Sequence, residues 1–299
     1  MRKEDTTIFE YRKEKDLLNV DAVIDERLHG KFTKGTVRTP SAGYVDFAIY
    51  RPEGADEEDV LPAAFSFHGG GFVLGYYETD GKYCQKLADL TGCAIINVDY
   101  VLAPEFKFPI PILSSYEAIR EIKRNAAYYR IDPDKMMSLG HSAGGAIAVD
   151  MCLLDREHEY ELGLKGMIVD YAPLRQSLRP EDRKAIDPAK AISVDRMVQY
   201  IHWYFDNLDD MDHPLASPAI AELEGLPRML VISAEFDSLS GEEKLFADNA
   251  RAAGVDVTYE MFAGCRHGFT HSGLKEHEPE QAERAWEMMG KFIRETLNS

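Results

Sequence analysis

Basic residues are scarce in this chain of 299 residues, and long apolar runs are absent. Its 34 lysines and arginines stand against 52 aspartates and glutamates, which gives a formal net charge of −18. Such a chain repels nucleic-acid phosphates and anionic lipid surfaces, so neither is expected as a partner. No stretch reaches the roughly 18 apolar residues of a membrane-spanning helix. Residues 1–20 are charged throughout and lack the apolar core of a signal peptide.

Cysteine is also sparse, and its spacing excludes the usual cysteine-based sites. The four cysteines stand at 84, 93, 152 and 265, and no two form a C-x-x-C pair. This pattern is typical neither of a zinc site nor of a small disulfide framework. We expect reduced thiols in a cytoplasmic protein, with two disulfide bridges as the alternative. No pattern in the sequence indicates a metal or an organic cofactor.

Short apolar segments alternate with helical segments from Val45 onward. The predicted strands are YVDFAIYRP, LPAAFSFH, CAIINVDY, KMMSLGH, LKGMIVDYAP, PRMLVISAEFD and VDVTYEMFAG. Apolar strands that alternate with helices favour a mostly parallel sheet covered by helices on both faces. The fold class predicted here is therefore α/β.

Two segments depart from this alternation. Residues 1–40 carry apolar positions at helical spacing, and we predict an N-terminal helical segment that contributes to a cap. Residues 41–299 then form one α/β domain. Within it, residues 174–217 are rich in aromatic residues and have no strand pattern, which predicts a helical cap inserted over the carboxyl end of the sheet. The alternative is a long crossover connection without a cap function.

The segment Gly140–Gly144 reads GHSAG and fits the pattern G-x-S-x-G. A predicted strand precedes it and a predicted helix follows it. In this setting the serine occupies a strained turn, and its hydroxyl projects above the end of the sheet. Ser142 is therefore the candidate nucleophile. The alternative is a glycine-rich turn that contains a serine by chance.

A second glycine-rich motif, His68–Phe72 or HGGGF, follows the strand AAFSF. Glycines allow main-chain N–H groups to point into a cavity, where they and the N–H of Ala143 can bind an oxyanion. A phosphate-binding loop is the alternative. It is disfavoured because the G-K-[ST] ending and the G-x-G-x-x-G spacing are both missing.

An acid and a histidine follow the last two predicted strands. Asp237 comes just after one strand, and His267 comes just after the next. Adjacent parallel strands bring their carboxyl ends together, so both side chains are expected beside Ser142. Glu235 and His271 are the nearest alternatives. Asp237 is preferred because it lies past the end of its strand, and His267 because it directly follows a strand and a glycine.

Taken together, these motifs resemble the hormone-sensitive-lipase-like branch of the α/β-hydrolases, the carboxylesterases with an HGGG motif. The resemblance extends from Pro62 to the C-terminus and includes VDYVLAPEFKFP at 98–109, close to the family's V-D-Y-R-L-A-P-E-x-x-F-P. It implies an α/β-hydrolase fold with Ser142 as nucleophile, His267 as base and Asp237 as the acid that orients it. It also implies three oxyanion donors, the N–H groups of Gly70, Gly71 and Ala143.

Three positions depart from the family pattern. His141 stands where the family usually has Asp, and Val101 stands where it usually has Arg. Asp237 stands in DSLSG, whereas the family's acid usually sits in D-P-L-x-D. His141 directly precedes Ser142, but a neighbour in the same tight turn directs its side chain away from the serine. We therefore do not expect His141 to be the base.

The expected function is that of a serine carboxylesterase for small esters with short, acetyl-like acyl groups, because a cap encloses the site. The candidate substrate-binding residues are Phe72, His141, Trp203 and Tyr204, although the aromatic residues of the cap could equally be helix core. A peptidase or amidase on the same fold is an alternative, and a ligand-binding protein without activity is another. The oligomeric state is left open, with a homodimer through the last strand or the C-terminal helix as one arrangement.

Overall fold

The computed structural model describes residues 7–19 and 32–298. Eight strands form one sheet: β1 (Phe32–Thr39), β2 (Gly43–Tyr50), β3 (Leu61–Phe67), β4 (Ala94–Asp99), β5 (Ile131–His141), β6 (Gly166–Asp170), β7 (Arg228–Ala234) and β8 (Val257–Phe262). Their order is β1-β2-β4-β3-β5-β6-β7-β8. β2 pairs antiparallel with β1 and β4, and the other pairs are parallel. The predicted α/β fold with a mostly parallel sheet is thus confirmed.

Helices cover both faces of this sheet. They are α1 (Ile8–Asn19), α2 (Tyr77–Thr91), α3 (Ile110–Arg124), α4 (Ala126–Tyr129), α5 (Ala143–Glu157), α6 (Val194–Tyr204), α7 (Ser240–Ala252) and α8 (Pro279–Leu297). α5 follows the central strand β5 and is buried from Ala143 to Asp155. A helix that is buried on all sides packs at the centre of a domain. The first residue of α5, Ala143, is therefore held in place at the end of β5.

The prediction of a helical segment over residues 1–40 was wrong for its last part. Residues 32–39 form β1, which pairs with β2 as a hairpin in which Val37 lies opposite Val45. The helical spacing came from residues 17–24 and did not extend into this segment. Of those residues, 20–24 lie outside the described part of the chain. Only Val37 and Thr39 of this edge strand are buried, which explains its weak apolar pattern.

The predicted cap segment, residues 174–217, is described throughout and contains no strand. It holds α6 and short 3-10 helices at Pro180–Asp182 and Leu208–Asp212. α1 packs against α6, where the Tyr11 hydroxyl lies 2.7 Å from that of Tyr200. The ring of Tyr11 also stacks on Trp203 at 5.4 Å. The two segments predicted to share one function are therefore in direct contact.

Two findings bear on the expectations about membranes and thiols. None of the described helices combines the length and the apolar character that crossing a bilayer requires. All four cysteines are buried and unpaired. Burial raises the pKa of the Cys152 thiol to about 12, which keeps it protonated at neutral pH.

Trp286 of α8 should contribute strongly to the stability of the fold. Its ring is 2% exposed and stacks on Tyr83 of α2 at 4.9 Å, and its indole N–H donates to the Thr270 carbonyl at 3.1 Å. Trp286→Ala leaves a cavity and an unpaired carbonyl, so we expect the free energy of unfolding in urea to fall by about 3–5 kcal/mol. Tyr128→Ala, at a ring that is 82% exposed, is the control and should change it by less than about 0.5 kcal/mol. Equal losses in the two variants would contradict the prediction.

Candidate active site

Ser142 occupies the sharp turn between β5 and α5. Its backbone has φ 53° and ψ −123°, a left-handed conformation that a serine rarely adopts. Two glycines permit the turn: a Cβ at Gly144 would overlap the Phe67 carbonyl, and a Cβ at Gly140 would overlap the carbonyl of Gly144. The Ser142 N–H donates to the Asp170 carbonyl of β6 at 2.8 Å. The turn therefore has the strained geometry predicted from the GHSAG motif.

Three predicted residues meet at the carboxyl end of the sheet. The Ser142 hydroxyl lies 2.8 Å from Nε2 of His267, and Nδ1 of His267 lies 2.6 Å from Oδ2 of Asp237. Asp237 follows β7 and His267 follows β8, so the sheet itself brings their loops together. Asp237 is fully buried, and its other oxygen accepts the N–H of Leu239 at 3.1 Å. Both ring nitrogens of His267 thus have hydrogen-bond partners, and Asp237 is itself held in place by the N–H of Leu239.

The two alternative residues are engaged elsewhere. Glu235 accepts the N–H of Gly264 at 2.7 Å, outside the contacts of His267. Nδ1 of His271 lies 2.8 Å from the Tyr171 hydroxyl, and Nε2 of His271 lies 3.5 Å from Oδ1 of Asp80. Neither alternative contacts Ser142. The geometry therefore favours the pair preferred in the sequence.

The charge of Asp237 determines the protonation of the site. Burial lowers the pKa of His267, but the charge of Asp237 and the hydrogen bond to it raise this pKa more, to above its ordinary value of 6.5. Glu243 is fully buried nearby. Burial first, and then the charge of Asp237, raise the pKa of Glu243 well above its ordinary value. The charge of Asp237 thus raises the pKa of both of its neighbours, His267 and Glu243.

The HGGG loop lies directly against the serine turn. A Cβ at Gly69 would lie 3.4 Å from the Cβ of Ser142. Within the described residues, no group accepts a hydrogen bond from the N–H groups of Gly70, Gly71 or Ala143. Ala143 is the first residue of α5, where main-chain donors have no partner within the helix. Gly70 and Gly71 line the same cavity as Ser142, and Ala143 directly follows the serine.

His68 and Arg12 fix this loop. The ring of His68 stacks on Tyr100 at 4.3 Å, and the Tyr100 hydroxyl donates to the His68 carbonyl. From α1, the guanidinium of Arg12 donates to the carbonyls of Val73 at 2.8 Å and Ala103 at 2.7 Å. It also forms a bidentate ion pair with Glu105. Sequence reasoning missed Arg12, because one arginine in a segment charged throughout has nothing to distinguish it.

His141 turns away from Ser142, as predicted. Its Nδ1 donates to the Asp170 carboxylate at 2.8 Å, and its ring packs edge-on against His271 at 4.8 Å. Thr270 donates to the same carboxylate at 3.3 Å. Asp80 and Asp170, the acids that hold these histidines, were not identified from the sequence. Asp170 ends β6, and its place at the carboxyl end of a predicted strand was the one available indication.

A cavity of about 690 Å³ lies above the serine, between the sheet and the predicted cap. Of the candidate substrate-binding residues, Phe72, His141 and Tyr204 line it. The rings of Phe72 and Tyr204 stack in parallel at 4.1 Å, so one wall joins the HGGG loop to α6. Trp203 does not line the cavity. Its position in α6 directs it to the face that contacts α1, where it stacks on Tyr11.

We expect His267 to retain its proton at a higher pH than an ordinary histidine. In a ¹H NMR titration its ring should show a midpoint above 6.5, because Asp237 stabilises the charged ring. Asp237→Asn should lower this midpoint, since burial remains while the attraction is removed. Glu235→Gln is the control and should leave the midpoint unchanged. A midpoint that Asp237→Asn does not move would refute the assigned cause.

Residues 64–271 match a family model described as the alpha/beta hydrolase fold. The arylesterase of Saccharolobus solfataricus is 30% identical over 231 residues, which cover 77% of this chain and 73% of that protein. The carboxylesterase NlhH of Mycobacterium tuberculosis is 30% identical over 72% of this chain and 69% of its own length. A solved structure of the Pyrobaculum calidifontis esterase superposes with a TM-score of 0.86 at 28% identity, covering 98% of this chain and 94% of that one.

Proposed function

The chain belongs to the α/β-hydrolase fold family and is a carboxylic ester hydrolase, and from this premise we propose that it cleaves esters through Ser142, with His267 as base and Asp237 as the acid that orients it. One observation carries the proposal. Two hydrogen bonds, at 2.8 Å and 2.6 Å, run from the Ser142 hydroxyl through His267 to Asp237. This arrangement activates a weak nucleophile.

The first half of the reaction forms an acyl-enzyme. His267 accepts the hydroxyl proton as Oγ of Ser142 attacks the ester carbonyl, and Asp237 stabilises the resulting imidazolium. The carbonyl oxygen becomes an oxyanion, for which the N–H groups of Gly70, Gly71 and Ala143 are the proposed donors. One such donor contributes roughly 3 kcal/mol to stabilising the transition state. The C–O bond of the ester then breaks, and the alcohol leaves with the proton from His267.

A water molecule takes part in the second half of the reaction, which releases the acyl group. His267 removes a proton from water as the water oxygen attacks the acyl carbonyl, and the same donors bind the second oxyanion. Collapse releases the carboxylic acid and returns the proton to Ser142. The base must be unprotonated at the start, so hydrolysis declines as the pH falls through the pKa of His267. Because that pKa is raised above 6.5, we expect the midpoint of this decline to lie above pH 6.5.

The proposed substrates are esters with short, acetyl-like acyl groups. The parallel stack of Phe72 on Tyr204 forms a rigid wall of the cavity, and both rings are buried. We also propose that residues 174–217 act with α1 as a cap, which the contacts between Tyr11 and α6 support. The cytoplasmic location and the homodimer remain predictions from the sequence.

Ser142→Ala should abolish ester hydrolysis. With 4-nitrophenyl acetate and butyrate we expect kcat to fall by roughly 10⁴-fold or more, because the nucleophile is gone. A fluorophosphonate probe should label the wild-type protein and leave this variant unlabelled. Ser41→Ala, at a serine outside the cavity, is the control and should keep both properties. Undiminished hydrolysis by Ser142→Ala would refute the proposal.

His267→Ala and His271→Ala should differ sharply. Only His267 contacts the serine hydroxyl, so its loss should reduce kcat/KM by roughly 10³-fold or more. His271→Ala should stay within about tenfold of the wild type, because that ring is held by Tyr171 and Asp80. The measurement is 4-nitrophenyl acetate hydrolysis at pH 8, with folding checked by circular dichroism. A larger loss from His271→Ala would make His271 the base instead.

A further inference from the structure

The lining of the active-site cavity reverses the charge balance of the chain. Acidic residues outnumber basic residues by 52 to 34 over the whole sequence. The cavity wall instead carries more basic than acidic residues. The basic residues are Lys15, Arg183, Lys190, Arg196 and Lys275, and the acidic ones are Glu14, Asp80 and Glu276. A positive wall in a protein of net charge −18 suggests a ligand of negative charge.

Arg196 and Lys15 differ from the other basic residues of this wall, because neither has a carboxylate partner among the described residues. Three others are within ion-pair distance of an acid: Arg183 with Glu242 at 3.6 Å, Lys190 with Asp187 at 3.8 Å, and Lys275 with Glu276 at 3.5 Å. For Arg196, no carboxylate lies within 4 Å in residues 7–19 and 32–298. Glu14 lies on the same wall and forms no ion pair with it.

The guanidinium of Arg196 is held in a fixed plane. It lies over the ring of Tyr11, with its central carbon 3.7 Å from the ring centroid. Tyr11 is fixed in turn by the contact of its hydroxyl with Tyr200. The Arg196 Nη1 is enclosed, and no described residue accepts a hydrogen bond from it. Enclosed donors without an acceptor are rare in folded proteins, and an oriented guanidinium matches the two oxygens of a carboxylate.

Arg183 adds a second, incompletely neutralised cation. Its side chain is only 3% exposed, and its Nε has no acceptor among the described residues. Glu242, its ion-pair partner, also accepts the main-chain N–H of Leu174 at 2.7 Å. Burial raises the pKa of Glu242 to about 7, against the opposing effect of Arg183, so the carboxyl is partly protonated at neutral pH. Glu242 therefore offsets the positive charge of Arg183 only in part.

We propose that the preferred substrates are esters that carry a free carboxylate, and that Arg196 is the residue that binds this group, with Arg183 adding to the potential. The inference rests on the proposed ester hydrolysis and adds the substrate class. The carboxylate can belong to the acyl part or to the alcohol part of the ester. In either case it lies away from the bond that breaks, and Arg196 acts on binding and orientation.

Two matched substrate pairs test this inference. Mono-4-nitrophenyl glutarate and its methyl ester differ by a carboxylate in the acyl part, and 4-acetoxybenzoate and its methyl ester differ by a carboxylate in the alcohol part. For each pair, the measured quantity is the ratio of kcat/KM for the anionic ester to that for the neutral one. Arg196→Gln should lower this ratio tenfold to a hundredfold in at least one pair, as expected for loss of a charged hydrogen bond.

Matched variants separate charge recognition from packing. Arg196→Lys keeps the charge and should retain part of the preference, while Arg124→Gln should leave the ratio unchanged. Arg124 is 63% exposed and lies outside the cavity. In the wild-type protein, added NaCl should lower kcat/KM for the anionic ester and leave that for the neutral ester unchanged. This measurement decides the question even if Arg196→Gln does not fold.

Each outcome has a distinct meaning. If the ratios are the same in wild type and Arg196→Gln and do not respond to salt, the carboxylate inference is overturned while ester hydrolysis stands. If Ser142→Ala hydrolyses the esters as fast as wild type, the proposed function fails, and the inference fails with it. A drop in the acyl pair alone, or in the alcohol pair alone, supports the inference and assigns Arg196 to that side of the ester.

Discussion

The left-handed turn at Ser142 is the constraint on which the rest of the site depends. A serine at φ 53° is strained by roughly 1–3 kcal/mol, and this strain persists only where the surroundings fix it. β5 and α5 provide that fixation, because α5 is buried from Ala143 to Asp155 and cannot shift away. The strain places the hydroxyl above the sheet, within 2.8 Å of His267. At the start of the same helix, the N–H of Ala143 has no acceptor among the described residues.

Electrostatics at the site centre on two buried carboxyl groups, Asp237 and Glu243. Burial and the charge of Asp237 raise the pKa of Glu243, which favours its neutral form. Asp237, through its charge and its hydrogen bond, is also the strongest of the groups that raise the pKa of His267. Arg196, on α6, has no carboxylate within 4 Å among residues 7–19 and 32–298. The cavity lining thus has a buried carboxylate behind the base, and it includes the arginine that we propose binds the carboxylate of the substrate.

Seven of the eight strands, and the three residues at the carboxyl ends of β5, β7 and β8, were predictable from burial patterns and chain order. Asp237 and His267 follow two adjacent strands, so the sheet brings them together whatever the intervening residues are. Arg12 and Trp203 show what was not predictable. Arg12 acts through a tertiary contact 61 residues away in sequence, and the orientation of Trp203 depends on where α1 packs. β1 was missed because an edge strand buries too few residues to show alternation.

His141 shows how a departure from the family pattern is accommodated. His141 and Asp170 are direct partners in the pairing of β5 with β6. An acid at position 141 would place two carboxylates opposite each other on neighbouring strands, which is destabilising. A histidine instead donates to Asp170, while the carbonyl of Asp170 accepts the N–H of Ser142. One residue of β6 therefore holds the turn through both its side chain and its main chain. The histidine beside the serine thus holds the turn through Asp170, while His267 contacts the serine hydroxyl.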